Sequence, residues 1–349
     1  MDVKRLLLLI LVLLVVLGFL FRAQTAAEGK VVLLTTAVFP SPIEPLDWFT
    51  RAPVFEHVTF SGPAGAIEGN LFLPRPLIGS SGAHSERAII IALGVKVPRS
   101  AVSQIDNFAS SLARLGYVTL WPRRKAFIAG QAPMELPSTF VRSFVYLAHQ
   151  HVVDPRYISY LGLSVGASTA LVAASRPRIS RRVHALVFFA GDYSLFDYIA
   201  SLATGRDIYR GREVRWHPSS DAIQQVKRIL QDENAPDLLR AFSTSNPRRA
   251  RAILDSAPAS ERKRLLAFDP AAHIHGYHAA TWILDDTGDA YVPYVESKKL
   301  KDALPSAQVR GWLLSDLFQH VLPSTGNLPH LLQGLLSFNA FAYSAFRYL

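Results

Sequence analysis

Tyr157-Ile158-Ser159-Tyr160-Leu161-Gly162-Leu163-Ser164-Val165-Gly166 reads as a strand broken by a glycine–serine–glycine turn, and Ala167 to Ala174 continues as an Ala- and Leu-rich helix. A Gly-x-Ser-x-Gly pattern alone is a weak signal, because small residues meet by chance. Between a strand and a helix it carries a mechanism. The turn must be so tight that the serine takes strained backbone angles, and its flanks tolerate only minimal side chains. Such a turn lifts the Ser164 hydroxyl to the carboxyl end of a sheet. It also aims the first amides of the next helix at that point, where the helix dipole favours negative charge. The plain alternative is an ordinary strand–helix turn that contains a serine.

The same alternation extends on both sides. Ala88 to Leu93 is an unbroken apolar run suited to a strand buried on both faces, and Gly94 ends it. Ile105, Phe108, Leu112 and Leu115 recur at helical spacing, with Gly116 at the C-cap position. Tyr117 to Trp121 is a strand closed by Pro122, and Phe140, Val141, Phe144 and Leu147 share one helix face. Ala185 to Ala190, Thr281 to Leu284 and Gln308 to Leu314 are further strands, with a helix near Val295 to Leu304 and a closing helix through Leu331, Leu332, Leu335, Leu336 and Phe338. Upstream, Phe55 to Phe60 and Ala66 to Leu73 form a hairpin about a turn at Gly62-Pro63-Ala64-Gly65. The pattern predicts an α/β chain: a mostly parallel central sheet, helices on both faces and right-handed crossovers. Residues 194–275 break the rhythm, being helical and polar with no clear sheet strand, and read as a helical cap insertion over one end of the sheet.

At 349 residues, half of them apolar and 18% charged, the chain is too rich in core-forming residues for a disordered protein. It contains no cysteine, which excludes disulfides, a thiol nucleophile and a cysteine-based zinc site. Lys and Arg outnumber Asp and Glu by 37 to 27, a net +10 suited to an anionic membrane surface or a nucleic acid. The N-terminus decides between them. Lys4-Arg5 precedes an uncharged apolar run from Leu6 to Phe21, about 24 Å long as a helix. That is short for a spanning helix and slightly long for a signal peptide, and Thr25 and Ala27 permit cleavage after Ala27. A buried N-terminal helix is the third reading, disfavoured because Leu-rich faces all round are hard to cover. A membrane anchor, the preferred reading, and a cleaved signal both export the remainder of the chain. The expected organisation is an anchor or signal over 1–29, a tether over 30–54 and one catalytic-type domain over 55–349. The chain then lies outside the cytoplasm, membrane-anchored or secreted, and nucleic acid is not an expected partner.

A serine hydroxyl needs a base to take its proton, and in this strand–turn–helix setting the acid and then the histidine come after the serine along the chain. His184 begins a strand and His217 lies in the insertion, whereas His320 stands in the loop Ser315 to Pro323 after the last strand. That is the sheet edge on which Ser164 must lie, so His320 is the expected base, with His330 as fallback. Asp285, Asp286 and Asp289 lie just beyond the strand before it. Asp289 is preferred, because the Thr287-Gly288 turn lets its carboxylate swing toward His320, hold one tautomer and stabilise the imidazolium.

With these pieces assembled, the chain resembles the α/β-hydrolase superfamily, nearest the dienelactone-hydrolase and prolyl-oligopeptidase-like esterase branch. The resemblance runs from about Phe55 to the C-terminus, less the insertion. It is carried by Asn70-Leu71-Phe72-Leu73-Pro74, Gly116-Tyr117-Val118, Asp154-Pro155-Arg156-Tyr157-Ile158, Gly162 to Gly166, Gly288-Asp289-Ala290-Tyr291-Val292-Pro293 and Gln319-His320-Val321. The acid-loop match, with its first glycine displaced, favours Asp289 over its neighbours. The resemblance implies a Ser164–His320–Asp289 triad, an acyl-enzyme and no metal or organic cofactor. The family often carries His-Gly after its third strand, where this chain has Leu93-Gly94. That departure bears on the oxyanion hole, for which the main-chain amides of Val165 and Val95 are the candidates.

The substrate pocket is not inherited from the resemblance; Trp216, Tyr209 and Phe242 in the insertion are the candidate apolar lining. His273, His275 and His278 have no companion carboxylate at a recognisable spacing and read as a solvated loop, not a metal site. Arg248, Arg249 and Arg251, with Arg262, Lys263 and Arg264, read as a solvated helical face before an anion or lipid site. The expected activity is hydrolysis of a small-molecule acyl ester, carboxylesterase first, with lipase, thioesterase and peptidase behind it. The rival is a non-catalytic binding protein on the same fold at the cell surface.

Overall fold

A computed structural model of the chain describes residues 46–62, 65–75, 86–93, 99–123, 136–323 and 328–349. The expected anchor or signal over 1–29, most of the tether, the Pro63-Ala64 turn, Gly94 and Val95 lie outside them. Among the described residues no helix is long and apolar enough to cross a membrane.

Eight strands form one sheet: β1 (Val54–Gly62), β2 (Gly65–Leu73), β3 (Glu86–Ala92), β4 (Val118–Arg123), β5 (Val153–Leu163), β6 (Val183–Phe189), β9 (Ala280–Asp286) and β10 (Val309–Ser315). Their order across it is β1-β2-β4-β3-β5-β6-β9-β10. The β1–β2 hairpin and the β2–β4 pair are antiparallel, and every pair from β4 through β10 is parallel. Continuous apolar runs form the centre because both faces are covered. In β3, Ile89 and Ile91 enter one hydrophobic core with Leu112, Trp282, Phe338 and Phe341. Ala88, Ile90 and Ala92 point the other way, into a second core with Phe140, Phe144, Tyr160 and Leu171.

Helices α1 (Arg99–Arg114), α2 (Leu136–Ala148), α3 (Val165–Ala174), α8 (Val295–Ala303) and α9 (Leu328–Tyr348) flank the sheet. The closing helix α9 packs through Phe338, Phe341, Ala342 and Ala345 against the first core, while Leu336 remains exposed. Strand β4 continues through Pro122, opposite Gly69, where a stop was expected.

Between β6 and β9 lies the insertion, with α4 (Leu195–Thr204), α5 (Ser220–Asp232), α6 (Pro247–Ser256), α7 (Ala259–Leu266) and short helical turns. Its Phe196, Leu230, Leu238 and Leu254 build a separate core. Contrary to expectation it also holds a hairpin, β7 (Arg206–Tyr209) paired with β8 (Arg212–Arg215). Arg210 and Gly211 take positive φ of 49° and 79°, the turn geometry that matches strand twist. The four-residue strands, Arg206-Asp207-Ile208-Tyr209 and Arg212-Glu213-Val214-Arg215, are too short to show an apolar alternation, so the pattern carried no sign of them.

Candidate active site

Strand β5 ends at Leu163 and α3 begins at Val165, so the whole turn is Ser164. Its φ is 56° and ψ −137°, a strained conformation for a residue with a side chain. The neighbours make it possible. A Cβ at Gly162 would lie 2.4 Å from the Ala167 Cα, and one at Gly166 would lie 2.1 Å from the Ala92 carbonyl oxygen. The helix therefore presses directly on β5 and β3. The Ser164 amide donates to the Phe189 carbonyl at 2.8 Å, tying the turn to β6. Val165 opens the helix, and an amide in a first turn has no acceptor within the helix. The other oxyanion candidate, Val95, lies outside the described residues.

The acid comes from the end of β9, which is buried along its length. Asp286 accepts the Gly288 amide at 2.8 Å, and the Asp289 amide reaches back to the Asp286 carbonyl at 3.2 Å, closing a tight turn. In the Asp289 carboxylate, Oδ1 accepts the amides of Tyr291 at 2.6 Å and Val292 at 3.0 Å. Oδ2 lies 2.6 Å from His320 Nδ1, and the opposite ring nitrogen, Nε2, lies 2.7 Å from Ser164 Oγ. A carboxylate only accepts, so Nδ1 carries the proton and Nε2 is left to accept from the serine hydroxyl. His320 has φ 62°, and the Tyr291 ring stacks on its imidazole with centroids 5.0 Å apart. The Asp289 side chain is fully buried and that of His320 is 14% exposed, so the imidazole is the part of the pair open to a substrate.

The other two carboxyls do different work. Asp285 is buried, accepts the Asp286 amide at 2.7 Å and hydrogen-bonds the Ser297 hydroxyl. Burial, aided by the Asp289 charge, pushes its pKa well above the usual range. Burial, offset in part by the Gly288 amide, raises Asp286 to about 6. The side chain of the fallback His330 lies outside the described residues.

The expected pocket lining, Trp216, Tyr209 and Phe242, contacts the acid loop, α8 and α5. Trp216 is buried with Tyr198, Leu202, Ala222 and Val292, and its indole donates to the Asp289 carbonyl at 2.6 Å. It supports the acid loop from beneath; an apolar reading misses this because it ignores the indole N–H. Tyr209 donates to Asp302 at 2.9 Å, and Phe242 lies under the Lys227 ammonium, 4.9 Å from the ring centroid. Neither has a hydrogen bond or ring contact with Ser164, Asp289 or His320 among the described residues.

A buried ion cluster joins the insertion to α8. The Lys299 ammonium lies 2.9 Å from Asp197, 2.7 Å from Asp207 and 2.6 Å from Glu296. Burial works against its charge, but the three carboxylates outweigh that and raise its pKa. Glu296 also accepts the amides of Tyr193 and Ser194 at 3.0 and 2.7 Å, where the chain enters the insertion. Among the described residues no group of three or more His, Cys, Asp or Glu is placed to hold a metal ion.

The eight-stranded, mostly parallel sheet covered by helices is similar in fold to solved structures. An acetyl xylan esterase from Paenibacillus sp. R4 matches at a TM-score of 0.53 and 13% identity, over 92% of this chain and 94% of that one. This chain has the α/β-hydrolase fold. A hyperthermophilic esterase from the archaeon Pyrobaculum calidifontis matches this chain at a TM-score of 0.50 and 14% identity, covering 93% and 92% of the two chains. Dipeptidyl peptidase 4 from Porphyromonas gingivalis matches at 0.53 and 14%, but the 86% of this chain that aligns spans only 36% of the peptidase. No protein-family model and no curated protein matches the sequence.

Proposed function

We propose that this α/β-hydrolase cleaves an ester-like acyl bond through a Ser164 acyl-enzyme. The reading rests on one observation, the continuous chain from Ser164 Oγ through His320 to the Asp289 carboxylate, with links of 2.7 and 2.6 Å. His320 Nε2 takes the hydroxyl proton as Oγ attacks the carbonyl carbon. The C=O π electrons move to the oxygen, and the oxyanion that forms is held by main-chain donors, the Val165 amide first. In well-studied hydrolases one such donor is worth about 2.7–4 kcal/mol. The tetrahedral intermediate collapses, the imidazolium returns its proton to the leaving alcohol, and the acyl group stays on Oγ. Water, deprotonated by the same imidazole, then releases the acid. Asp289 holds the imidazole in the required tautomer and remains ionised throughout.

Two of the similar structures are esterases, which supports an ester as the substrate class. Carboxylesterase is therefore the first activity to assay, and the Lys4-Arg5 and Leu6 to Phe21 pattern directs the enzyme out of the cytoplasm, anchored or secreted. A fluorophosphonate probe tests the chemistry. Labelling of the wild type that is lost in Ser164→Ala supports the enzyme. A folded but unlabelled wild type refutes it and leaves a binding protein. A panel of p-nitrophenyl esters of increasing acyl length then defines the substrate class.

A further inference from the structure

Three consecutive carbonyls of the acid loop are each held by a donor from the insertion. The Trp216 indole donates to the Asp289 carbonyl at 2.6 Å, the Ser219 amide to Ala290 at 2.7 Å, and the Tyr198 hydroxyl to Tyr291 at 2.8 Å. The donors come from separate elements: Tyr198 from α4, Trp216 from the segment after β8, and Ser219 from the N-cap of α5. Val292, the next residue of the loop, is buried in the same apolar cluster as Tyr198, Leu202 and Trp216.

The peptide plane makes this arrangement consequential. In a trans peptide the carbonyl and the following amide are fixed in one plane and point in opposite directions. The Ala290 carbonyl and the Tyr291 amide belong to one such plane, and the Tyr291 carbonyl and the Val292 amide to the next. Those two amides are the donors to Asp289 Oδ1. Holding the carbonyls toward the insertion therefore turns the amides toward the carboxylate and sets where Oδ2 meets the imidazole. We infer that Trp216, Tyr198 and the Ser219 main chain are positioning residues for Asp289, so that the insertion is an integral part of the proton-handling site as well as any cover over it. The inference rests on the triad reading and adds a working role for the insertion to it.

A double-mutant cycle on purified full-length protein tests this, with p-nitrophenyl acetate as the probe. Tyr198→Phe removes one hydroxyl and keeps the ring. The expected result is a loss of about tenfold in kcat with KM within about twofold, since small misplacements of catalytic groups are costly. In an Asp289→Ala background the same substitution changes kcat by less than about twofold, because the group it positions is gone. A Tyr198→Phe protein with unchanged kcat overturns the inference. So does an equal loss in both backgrounds, which marks a general loosening of the fold. Should Tyr198→Phe fail to fold, Trp216→Phe takes its place in the same cycle with the same expected outcomes. Wild type that neither hydrolyses the ester nor takes the fluorophosphonate overturns the triad reading, and this inference with it. Wild type labelled at Ser164 with an additive cycle overturns this inference alone.

Discussion

Replacing Asp289 with Asn changes one oxygen to an amide nitrogen, and the surrounding donors dictate how it sits. Oδ1 accepts two main-chain amides, at 2.6 and 3.0 Å. Turning the new NH2 group toward them would leave two buried donors facing a donor, at about 1–3 kcal/mol each. The Asn oxygen therefore stays with the loop, and the NH2 faces His320 Nδ1 at the site of the present 2.6 Å contact. Nδ1 must then accept, which moves the imidazole proton to Nε2 and points an N–H at Ser164 Oγ. A ring in that tautomer cannot take the serine proton. The same substitution in a serine protease costs about 10⁴ in kcat, equivalent to about 5.4 kcal/mol of barrier. A loss of that order is expected here, with KM nearly unchanged and the circular dichroism spectrum preserved. The assay is steady-state hydrolysis of p-nitrophenyl acetate by wild type, Asp289→Asn and Asp289→Ala. An Asn variant that keeps more than about a tenth of wild-type kcat, or one more active than the Ala variant, refutes the tautomer argument.

Gly166→Ala puts a methyl 2.1 Å from the Ala92 carbonyl oxygen, so α3 must shift; a loss of about 3 kcal/mol in urea unfolding and disappearance of fluorophosphonate labelling are expected. Lys299→Met strands the carboxylates of Glu296 and Asp207, while Asp197 keeps Arg251, and a loss of about 3–5 kcal/mol in the same assay is expected; an unchanged midpoint would show that the cluster contributes nothing. Asp192 is buried, which raises its pKa from 3.8 to about 6, with the Ser168 hydroxyl offsetting part of the rise. The folded state thus holds the proton more tightly than the unfolded chain, and stability falls as pH rises from about 4 to about 6. Asp192→Asn keeps an acceptor for Ser168 and removes that loss. Its stability relative to wild type should be near neutral at pH 4 and higher by about 3 kcal/mol at pH 8, and equal differences at both pH values would contradict the account.

Much of the architecture is legible because its signals are local. Ala88 to Leu93 is apolar at successive positions, which suits only a strand covered on both faces, and β3 feeds two opposite cores. Gly162 and Gly166 around Ser164 demand a turn with no room for side chains, and each contacts backbone within 2.4 Å of where its Cβ would be. The hairpin of β7 and β8 left no comparable trace, because strands of four residues, with Ile208 and Val214 as isolated apolar positions, are too short for a period of two to stand out. The hydrogen bond of Trp216 is equally invisible in the pattern. Its ring looks apolar in a string of letters, while its place depends on a carbonyl 73 residues away that accepts from the indole.

Residue types, their periodicity and their order along the chain dictate the layered sheet, the strained serine turn and a short choice of acids and histidines. The turn at Thr287-Gly288 favours Asp289 over Asp285 and Asp286, but the contact itself belongs to three dimensions. His320 is 31 residues from Asp289 and 156 from Ser164, and hydrogen bonds at 2.6 and 2.7 Å respond to side-chain direction, which no spacing encodes. The hold of the insertion on the acid loop is of the same kind. Periodicity reports which face of an element is buried, whereas a hydrogen bond reports where two atoms meet after every intervening element has packed.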